Sequence, residues 1–276
     1  MVVYGNGWAL QEQPKRPSPI TWSFEESLDR LAEAGYDGCQ AGIGQAAAVR
    51  ARGLRFCTSA RINTPGEADA AVAAAAAVNA DCLTVHAGWG DEDDATADAI
   101  AAAICEAEAR HGVPVYIETH RATMMQDIYR TCRLVDRHPA LGVNADLSHF
   151  YCGQEMTYRG FERTIQYLTP VLARVGFIHA RVSDGQCMQC DIADERHAVH
   201  VSNFTAMWSQ AMRSWRSRAV PGDLFPFVPE LGPPSSGYSL LVRDAAGELV
   251  EVCDRWAQSL QLKSIAERAF GEVGVG

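Results

Sequence analysis

The feature that most constrains the fold of this chain is a repeated alternation of short apolar segments with longer amphipathic ones. Eight segments have the pattern of strands buried on both faces: Val2–Gly5, Tyr36–Ala41, Leu54–Ser59, Asp81–His86, Pro114–Glu118, Leu141–Ala145, Val175–Ile178 and Leu224–Pro229. The helical segments are Ser23–Gly35, Gln45–Gly53, Gly66–Asn79, Asp93–Gly112, Met124–Arg137, Tyr158–Arg174, Asn203–Arg218 and Ala245–Phe270. Alternating units require right-handed parallel crossovers, and eight such units close into a barrel. The sequence therefore predicts one α/β domain over residues 1–276, a single (β/α)8 TIM barrel.

Local signals support the proposed element ends. Ser23 with Glu26 three residues later is typical of a capping box, and Gly112 is a typical helix stop. The alternative to a barrel is an open, doubly wound sheet. Against that alternative, Gly5-Asn6-Gly7-Trp8 after the first strand lacks the third glycine and the immediate helix of a dinucleotide-binding loop.

Charge and composition limit the partners of the chain. Its 24 basic and 34 acidic residues give a net charge of −10, which argues against nucleic-acid binding by counterion release. No apolar run is long enough to span a bilayer, and the beginning of the sequence has no secretory signal pattern, so we expect a cytoplasmic protein without a membrane partner. Nine scattered cysteines, an odd number, fit reduced thiols better than a disulfide framework.

Four consecutive strand-like segments in the second half each lead into a side chain that can bind a metal. These side chains are Glu118, Asp146, His179 and Glu230. Because the active site of a barrel lies at the carboxyl ends of its strands, we expect the four to converge there. Two Glu, one Asp and one His are hard oxygen and nitrogen ligands suited to a divalent cation.

The motifs around these residues resemble those of a known family. They are Ile117-Glu118-Thr119-His120, Asn144-Ala145-Asp146-Leu147-Ser148-His149, Phe177-Ile178-His179-Ala180-Arg181 and Pro229-Glu230-Leu231-Gly232. In order and spacing they are similar to the strand-five to strand-eight motifs of the xylose isomerase-like TIM barrel superfamily, in its sugar isomerase and epimerase branch. The resemblance implies one divalent ion held by the four residues, manganese first, with magnesium, cobalt or zinc as alternatives. It also implies that Glu118 and Glu230 are the catalytic acid–base pair, and it allows a homo-oligomer.

The chemistry that this set supports is proton transfer at a carbon next to a carbonyl. A divalent ion can neutralise an enediolate, and two carboxylates can remove and return the proton. The expected function is therefore a metal-dependent isomerase or epimerase acting on a keto-sugar or polyol. The main alternative is a dehydratase or lyase acting on an inosose-like or 3-keto-glycoside-like substrate. A non-catalytic sugar-binding barrel and an apurinic-site endonuclease-like enzyme are further alternatives.

Six further residues are candidates for substrate binding in this interpretation. They are His149, Arg181, His86, His120, Trp8 and Trp89. The histidines and the arginine are placed by motif spacing or by the ends of strands. The two tryptophans follow predicted strands and could stack on a sugar ring.

Two other motifs are weaker indications of metal binding. Glu195-Arg196-His197 lies where the endonuclease branch of the superfamily has a metal-binding Asp-x-His pair, but the acidic run at 91–94 would repel a phosphodiester backbone. Cys187 and Cys190 form a lone Cys-x-x-Cys pair, which predicts two loop thiols rather than a zinc site.

Overall fold

Eight parallel strands form a closed barrel in a computed structural model that describes residues 1–11 and 22–274. The strands pair in chain order, and the barrel closes where Val2 and Val3 of the first strand pair with Pro226 and Phe227 of the eighth. Their bounds are β1 Val2–Asn6, β2 Gly38–Gln40, β3 Arg55–Ile62, β4 Leu83–Ala87, β5 Val115–Glu118, β6 Gly142–Asn144, β7 Val175–Ala180 and β8 Pro226–Pro229. The predicted (β/α)8 barrel is confirmed.

Helices cover the outside of the barrel. Their bounds are α1 Gly7–Gln11, α2 Phe24–Glu33, α3 Ala46–Arg50, α4 Ala68–Ala77, α5 Asp94–His111, α6 Ile128–Arg137, α7 Ser148–Gly153, α8 Met156–Arg159, α9 Phe161–Tyr167, α10 Thr169–Leu172, α11 Ala198–Arg216 and α12 Arg255–Glu272. The capping box is confirmed, since Ser23 Oγ accepts from Glu26 N at 3.1 Å and Glu26 Oε2 accepts from Ser23 N at 2.7 Å. Gly112 ends α5 with a φ of 69°, a conformation that favours glycine.

Two predicted helices are wrong in part. The segment predicted as one helix from Tyr158 is divided into α8, α9 and α10, because Gly160 takes a φ of 86° and Pro170 has no backbone N–H to continue a helix. The segment predicted as a helix from Ala245 begins instead with an antiparallel hairpin, β9 Leu241–Arg243 and β10 Leu249–Glu251. The terminal helix starts only at Arg255, where the Asp254 side chain caps it.

Other helix ends are displaced by a few residues from those predicted. The helix predicted from Met124 begins at Ile128, where the Asp127 side chain accepts a hydrogen bond from the first turn. The helix predicted from Asn203 begins earlier, at Ala198. Propensity alone defines such ends poorly, because caps and tertiary contacts decide them.

The core has two layers that together fix the position of the barrel mouth. Inside the barrel, Tyr4, Cys57, Cys82, Phe177 and Val228 pack as a buried apolar cluster. A larger apolar layer fills the space between the strands and the surrounding helices. Because the interior is filled, the carboxyl ends of the strands form the floor of the mouth rather than the entrance to a channel. Over the part of the chain that the structure describes, no helix has the length and apolarity needed to span a bilayer.

Candidate active site

The four predicted metal ligands lie together at the carboxyl end of the barrel. Glu118 is the last residue of β5, and His179 lies one residue before the end of β7. Asp146 lies two residues after β6, and Glu230 directly follows β8. All four are buried, with Glu230 the most exposed at 8%. Parallel strands end at the same rim, so the fold brings together side chains that are far apart in the sequence.

Two carboxylates share one nitrogen of His179. The Nδ1 atom lies 3.1 Å from Glu118 Oε2 and 3.3 Å from Glu230 Oε2. Ligand atoms of these three residues all lie within 4.8 Å of one another. The other ring nitrogen, Nε2, lies 3.1 Å from the amide oxygen of Gln40. An amide oxygen only accepts hydrogen bonds, so Nε2 carries a proton, and Nδ1 is the nitrogen that faces the carboxylates and can bind an ion once its own proton has left.

Asp146 lies in a second, adjoining group. Its Oδ2 atom lies 3.4 Å from Nε2 of His149, and Glu118, Asp146 and His149 offer ligand atoms within 4.8 Å of one another. The guanidinium of Arg181 joins this group to the first. Its Nη2 atom lies 3.3 Å from Asp146 Oδ2 and 2.7 Å from Glu230 Oε2. Arg181 is 1% exposed, so this ion pair is fully buried.

Three neutral amide side chains hold the charged residues in place. Each of them, Asn6, Gln40 and Asn144, is the last residue of its strand. Asn144 Nδ2 donates to Glu118 Oε2 at 3.3 Å, and its amide oxygen accepts from the backbone of β7 at 3.0 Å. Asn6 Nδ2 donates to Glu230 Oε1 at 3.3 Å. None of the three is among the site residues predicted from the sequence. A polar residue at the end of a strand buried on both faces is the signal that could have found them.

Burial opposes charge throughout this cluster, and the neighbouring charges overcome it. Burial would raise the pKa of Glu118, but His179 and a second histidine hold that pKa well below its usual range. Burial would lower the pKa of His179, but the carboxylates of Glu230 and Glu118 raise it to about 9. Burial also acts against ionisation of Asp146, and the charge of Arg181 nevertheless keeps the pKa of Asp146 below its usual value.

A cavity of about 300 Å³ opens above these residues. It is lined by Trp8, Gln40, Ser59, Ala60, Arg61, Thr84, His86, Glu118, His120, His179, Arg181, Glu230 and Tyr238. His86 Nε2 lies 3.2 Å from Glu118 Oε2, so this predicted substrate-binding residue directly contacts a predicted metal ligand. Trp8 is 43% exposed and presents its ring at the mouth of the cavity. The volume is at the small end of ligand pockets, which favours a small substrate.

A row of histidines continues from the cavity toward Asp146. The ring of His120 lies 4.3 Å from that of His86 and 4.0 Å from that of His149, measured between centroids. Burial lowers the pKa of His120 to about 4, so its ring is neutral at pH 7. Its Nε2 atom lies 3.1 Å from the hydroxyl of Tyr238, whose ring centroid lies 4.0 Å from the guanidinium carbon of Arg181. Tyr238 therefore covers the part of the site that contains Asp146.

Two of the predicted substrate-binding residues do not line the cavity. His149 is 4% exposed and lies beneath His120. Trp89 is 58% exposed, and its ring packs against the guanidinium of Arg61 at 3.7 Å. Arg61 itself, which the sequence analysis did not select, does line the cavity. The predicted strand Leu54–Ser59 ends before Arg61, whereas the strand in the structure continues to Ile62 and places Arg61 at the barrel mouth.

The Glu195-Arg196-His197 motif and the Cys187 and Cys190 pair lie away from the cluster of predicted metal ligands. His197 Nδ1 lies 2.7 Å from the carbonyl oxygen of Asp191. Within residues 1–11 and 22–274, His197 belongs to none of the groups that could hold a metal ion. Over the same range, neither Cys187 nor Cys190 belongs to such a group. Cys190 is buried and Cys187 is half-buried.

The family model of the xylose isomerase-like TIM barrel matches residues 66–206, just over half of the chain. The chain belongs to the xylose isomerase-like TIM barrel family. The resemblance of the strand-end motifs is thereby confirmed at the level of the family. Among the curated proteins, none matches the chain.

Several solved structures share this family's fold with the chain at low sequence identity. The structure of L-ribulose 3-epimerase is 12% identical with a TM-score of 0.57, and the match covers 99% of this chain and 95% of that one. A xylose isomerase-like TIM barrel protein from Mycobacterium smegmatis in complex with magnesium is 12% identical with a TM-score of 0.58, covering 99% and 97%. The probable 3-DHS dehydratase AsbF from Bacillus anthracis is 14% identical with a TM-score of 0.52, covering 86% and 96%.

The residues of this family member fit a divalent ion. Glu118 Oε1 is buried without a hydrogen bond, while Asp146 Oδ2 and His179 Nδ1 have ion-pair contacts but no hydrogen bond of good geometry. Leaving a buried oxygen without a partner is unfavourable, and hard oxygen and nitrogen donors are what a divalent cation binds. Glu118, His179 and Glu230 form the tightest set. Asp146 adjoins it through Glu118 and Arg181.

Proposed function

We propose that this protein is a divalent-metal-dependent isomerase or epimerase that moves a proton through an enediolate on a small keto-sugar or polyol. The observation that carries the proposal is the pair of buried carboxylates, Glu118 and Glu230, that line the cavity and face the same nitrogen of His179. Such a pair supplies both ligands for an ion and groups that accept and return a proton.

The reaction follows from what each side chain can do. Glu118 and Glu230 act as the base and the acid, and each is positioned by an amide from a neighbouring strand end. Manganese is the ion that we propose first. A divalent ion bound by these residues would neutralise the negative charge of the enediolate. His179, with Gln40 holding its Nε2 proton, keeps its Nδ1 lone pair directed to the site. Arg181 offsets the remaining carboxylate charge of Asp146.

Substrate positioning is assigned to the cavity wall. His86 and His120 line it and can bind hydroxyl groups, while Trp8 offers a ring face for stacking. Arg181 lines it too, although its Nη2 atom is committed to two carboxylates. His149 and Trp89 support this wall from behind, through His120 and Arg61 respectively.

A dehydratase or lyase reaction on the same site is the second candidate. Tyr238 favours it, because its hydroxyl lies on the cavity wall within hydrogen-bond distance of neutral His120. A phenol in that position could give a proton to a departing β-hydroxyl group, and the substrate carbanion would then eliminate instead of being reprotonated.

The first test measures metal content and proton exchange on the same samples. Wild type, Glu118→Gln and a matched control, Asp81→Asn at the opposite end of the barrel, are loaded with Mn²⁺, dialysed and analysed by plasma mass spectrometry. We expect about one ion per chain in wild type and in the control, and loss of the ion in Glu118→Gln. The samples are then incubated in heavy water with free ketopentoses and ketohexoses and with hexuronates.

Deuterium entry next to the carbonyl, observed by NMR in wild type and control only, supports the isomerase or epimerase. A dehydrated product seen by mass spectrometry supports the dehydratase. Metal binding without deuterium exchange or product would contradict catalysis and favour a non-catalytic sugar-binding barrel. Absence of metal from folded wild type would contradict the proposal altogether.

A further inference from the structure

Arg61 is a rigidly held cation on the wall of the cavity. Its Nε atom donates to Asn63 Oδ1 at 2.9 Å. Its Nη2 atom donates to the carbonyl oxygens of Gly88 at 2.8 Å and Ala122 at 3.2 Å. The guanidinium lies 3.7 Å from the centroid of the Trp89 ring. These contacts fix the orientation of the side chain before any ligand arrives.

None of these contacts neutralises the charge of Arg61. Each accepting oxygen is an amide or a carbonyl, and among the residues that the structure describes no carboxylate lies within 4.0 Å of its nitrogens. Its Nη1 atom makes no hydrogen bond to any of these residues. Arg181, the other arginine of the cavity, instead contacts the carboxylates of Asp146 and Glu230.

The charges of the two sides of the cavity differ once an ion is bound, and this step rests on the proposed function. Glu118, Asp146 and Glu230 carry three negative charges, which Arg181 and a divalent ion together balance. Arg61 then remains as an unbalanced positive charge on the wall of a cavity of about 300 Å³. Strand β3, which carries it, lies four strands away from β7 in the eight-stranded barrel, so Arg61 stands across the mouth from His179.

We propose that the substrate carries a carboxylate, bound by Arg61 across the cavity from the reacting carbon, so that the substrate class is a small polyhydroxy acid rather than a neutral sugar. A single free guanidinium nitrogen suits one carboxylate oxygen. A phosphate would need more donors, and the backbone N–H groups of Trp89 and Gly90, in the loop after β4, already donate to Glu92 at 2.5 and 2.9 Å.

The test compares ligands of matched size on metal-loaded protein by isothermal titration calorimetry. The probes are glucuronate, glucose and glucose 6-phosphate, with glycerate and glycerol as a smaller pair. The variants are Arg61→Gln, Arg61→Lys and a control, Arg163→Gln, which removes an exposed arginine of α9 that does not line the cavity. Metal content is measured on every sample.

We expect wild type to bind the acid of at least one pair about tenfold or more tightly than its neutral partner. This preference should disappear in Arg61→Gln, persist in part in Arg61→Lys, and be unchanged in Arg163→Gln. Affinity for the neutral partner and metal content should stay within about twofold in all variants, which a general loss of structure would not allow.

Equal affinity for acid and neutral ligands in wild type, a preference that survives Arg61→Gln, or failure of both acids to bind would overturn the inference. Tighter Arg61-dependent binding of glucose 6-phosphate than of glucuronate would replace the carboxylate by a phosphate. Metal-loaded protein without an acid preference would remove this inference and leave the proposed function intact. An Arg61-dependent preference in protein that holds no metal would keep the anion site and remove the function.

Discussion

The two halves of the barrel mouth differ in the kind of side chain that ends each strand. Strands β5 to β8 lead into the buried charged or titratable groups Glu118, Asp146, His179 and Glu230. Strands β1 and β2 end in the neutral amides Asn6 and Gln40, and β3 carries Arg61 near its end.

The chain closes β1 against β8, so the amides of the first half reach the carboxylates of the second. In the proposed function, the second half supplies the reacting groups, and the first half helps to hold them and binds the substrate. The same division applies to the two arginines of the cavity. Arg181 is neutralised and structural, while Arg61 is held without a counter-charge.

The largest expected difference between the halves concerns turnover. Glu118→Gln or Glu230→Gln should lower the rate in the proton-exchange assay by about 10²- to 10⁴-fold, because each removes a proton-transferring group and a ligand. Asn6→Ala, which only removes a hydrogen bond to Glu230, should lower it by about tenfold or less. Thermal unfolding checks that all three variants fold. Comparable losses in Asn6→Ala and Glu230→Gln would contradict the division between reacting and holding residues.

The two arginines should differ in their contribution to stability. Arg181→Met removes the cation that joins Asp146 and Glu230, leaves these buried carboxylates with only histidine and neutral partners, and should lower the free energy of unfolding by about 3–5 kcal/mol. Arg61→Met loses only hydrogen bonds to neutral oxygens in a half-buried position, and we expect a loss of about 1 kcal/mol. Urea denaturation of the metal-free proteins at pH 7 measures both. Equal losses would show that Arg61 is structural and would weaken its assignment to substrate binding.

The amide behind His179 should affect metal affinity rather than folding. Gln40→Leu removes the acceptor that fixes the Nε2 proton, and we expect metal affinity to fall by about 10- to 100-fold. Gln166→Leu, an exposed glutamine of α9, serves as the control and should bind the metal as wild type does. Calorimetric titration with Mn²⁺ gives both constants. Unchanged affinity in Gln40→Leu would mean that the ring is oriented by its backbone alone.

The smallest expected effect is a dependence of metal affinity on pH. In the metal-free protein the carboxylates of Glu230 and Glu118 raise the pKa of His179 to about 9, so the ring is protonated at pH 7. An ion must displace that proton, and affinity should therefore rise by about tenfold per pH unit from pH 7 to about 9 and then level off. Titrations in two buffers of different ionisation enthalpy measure the released proton. No proton release at pH 7.5 would mean that His179 is neutral or is not a ligand.

Much of this architecture could be predicted from the sequence because it depends on local patterns. Period and length identify strands buried on both faces, and eight of them separated by helices leave few topologies. The strand-end positions of Glu118 and His179 follow from the same pattern. The hairpin at 241–251 could not be predicted in this way, since its exposed residues, such as Leu241 and Leu249, carry no clear alternation of burial. Its strands pair through a turn at Asp244–Gly247 that a helical reading of the segment overlooks.

By itself, the sequence determined the barrel and the four side chains that end its second four strands, because hydrophobic periodicity and chain order are properties of neighbouring residues. Only the tertiary structure decided which groups touch: that Glu118 and Glu230 face one nitrogen of His179, that Arg181 is neutralised, and that Arg61 is not. The physical reason is that charge balance and hydrogen bonding depend on distances between strands far apart in the chain. Burial makes those distances decisive, since an unpaired charge is costly only where water is excluded.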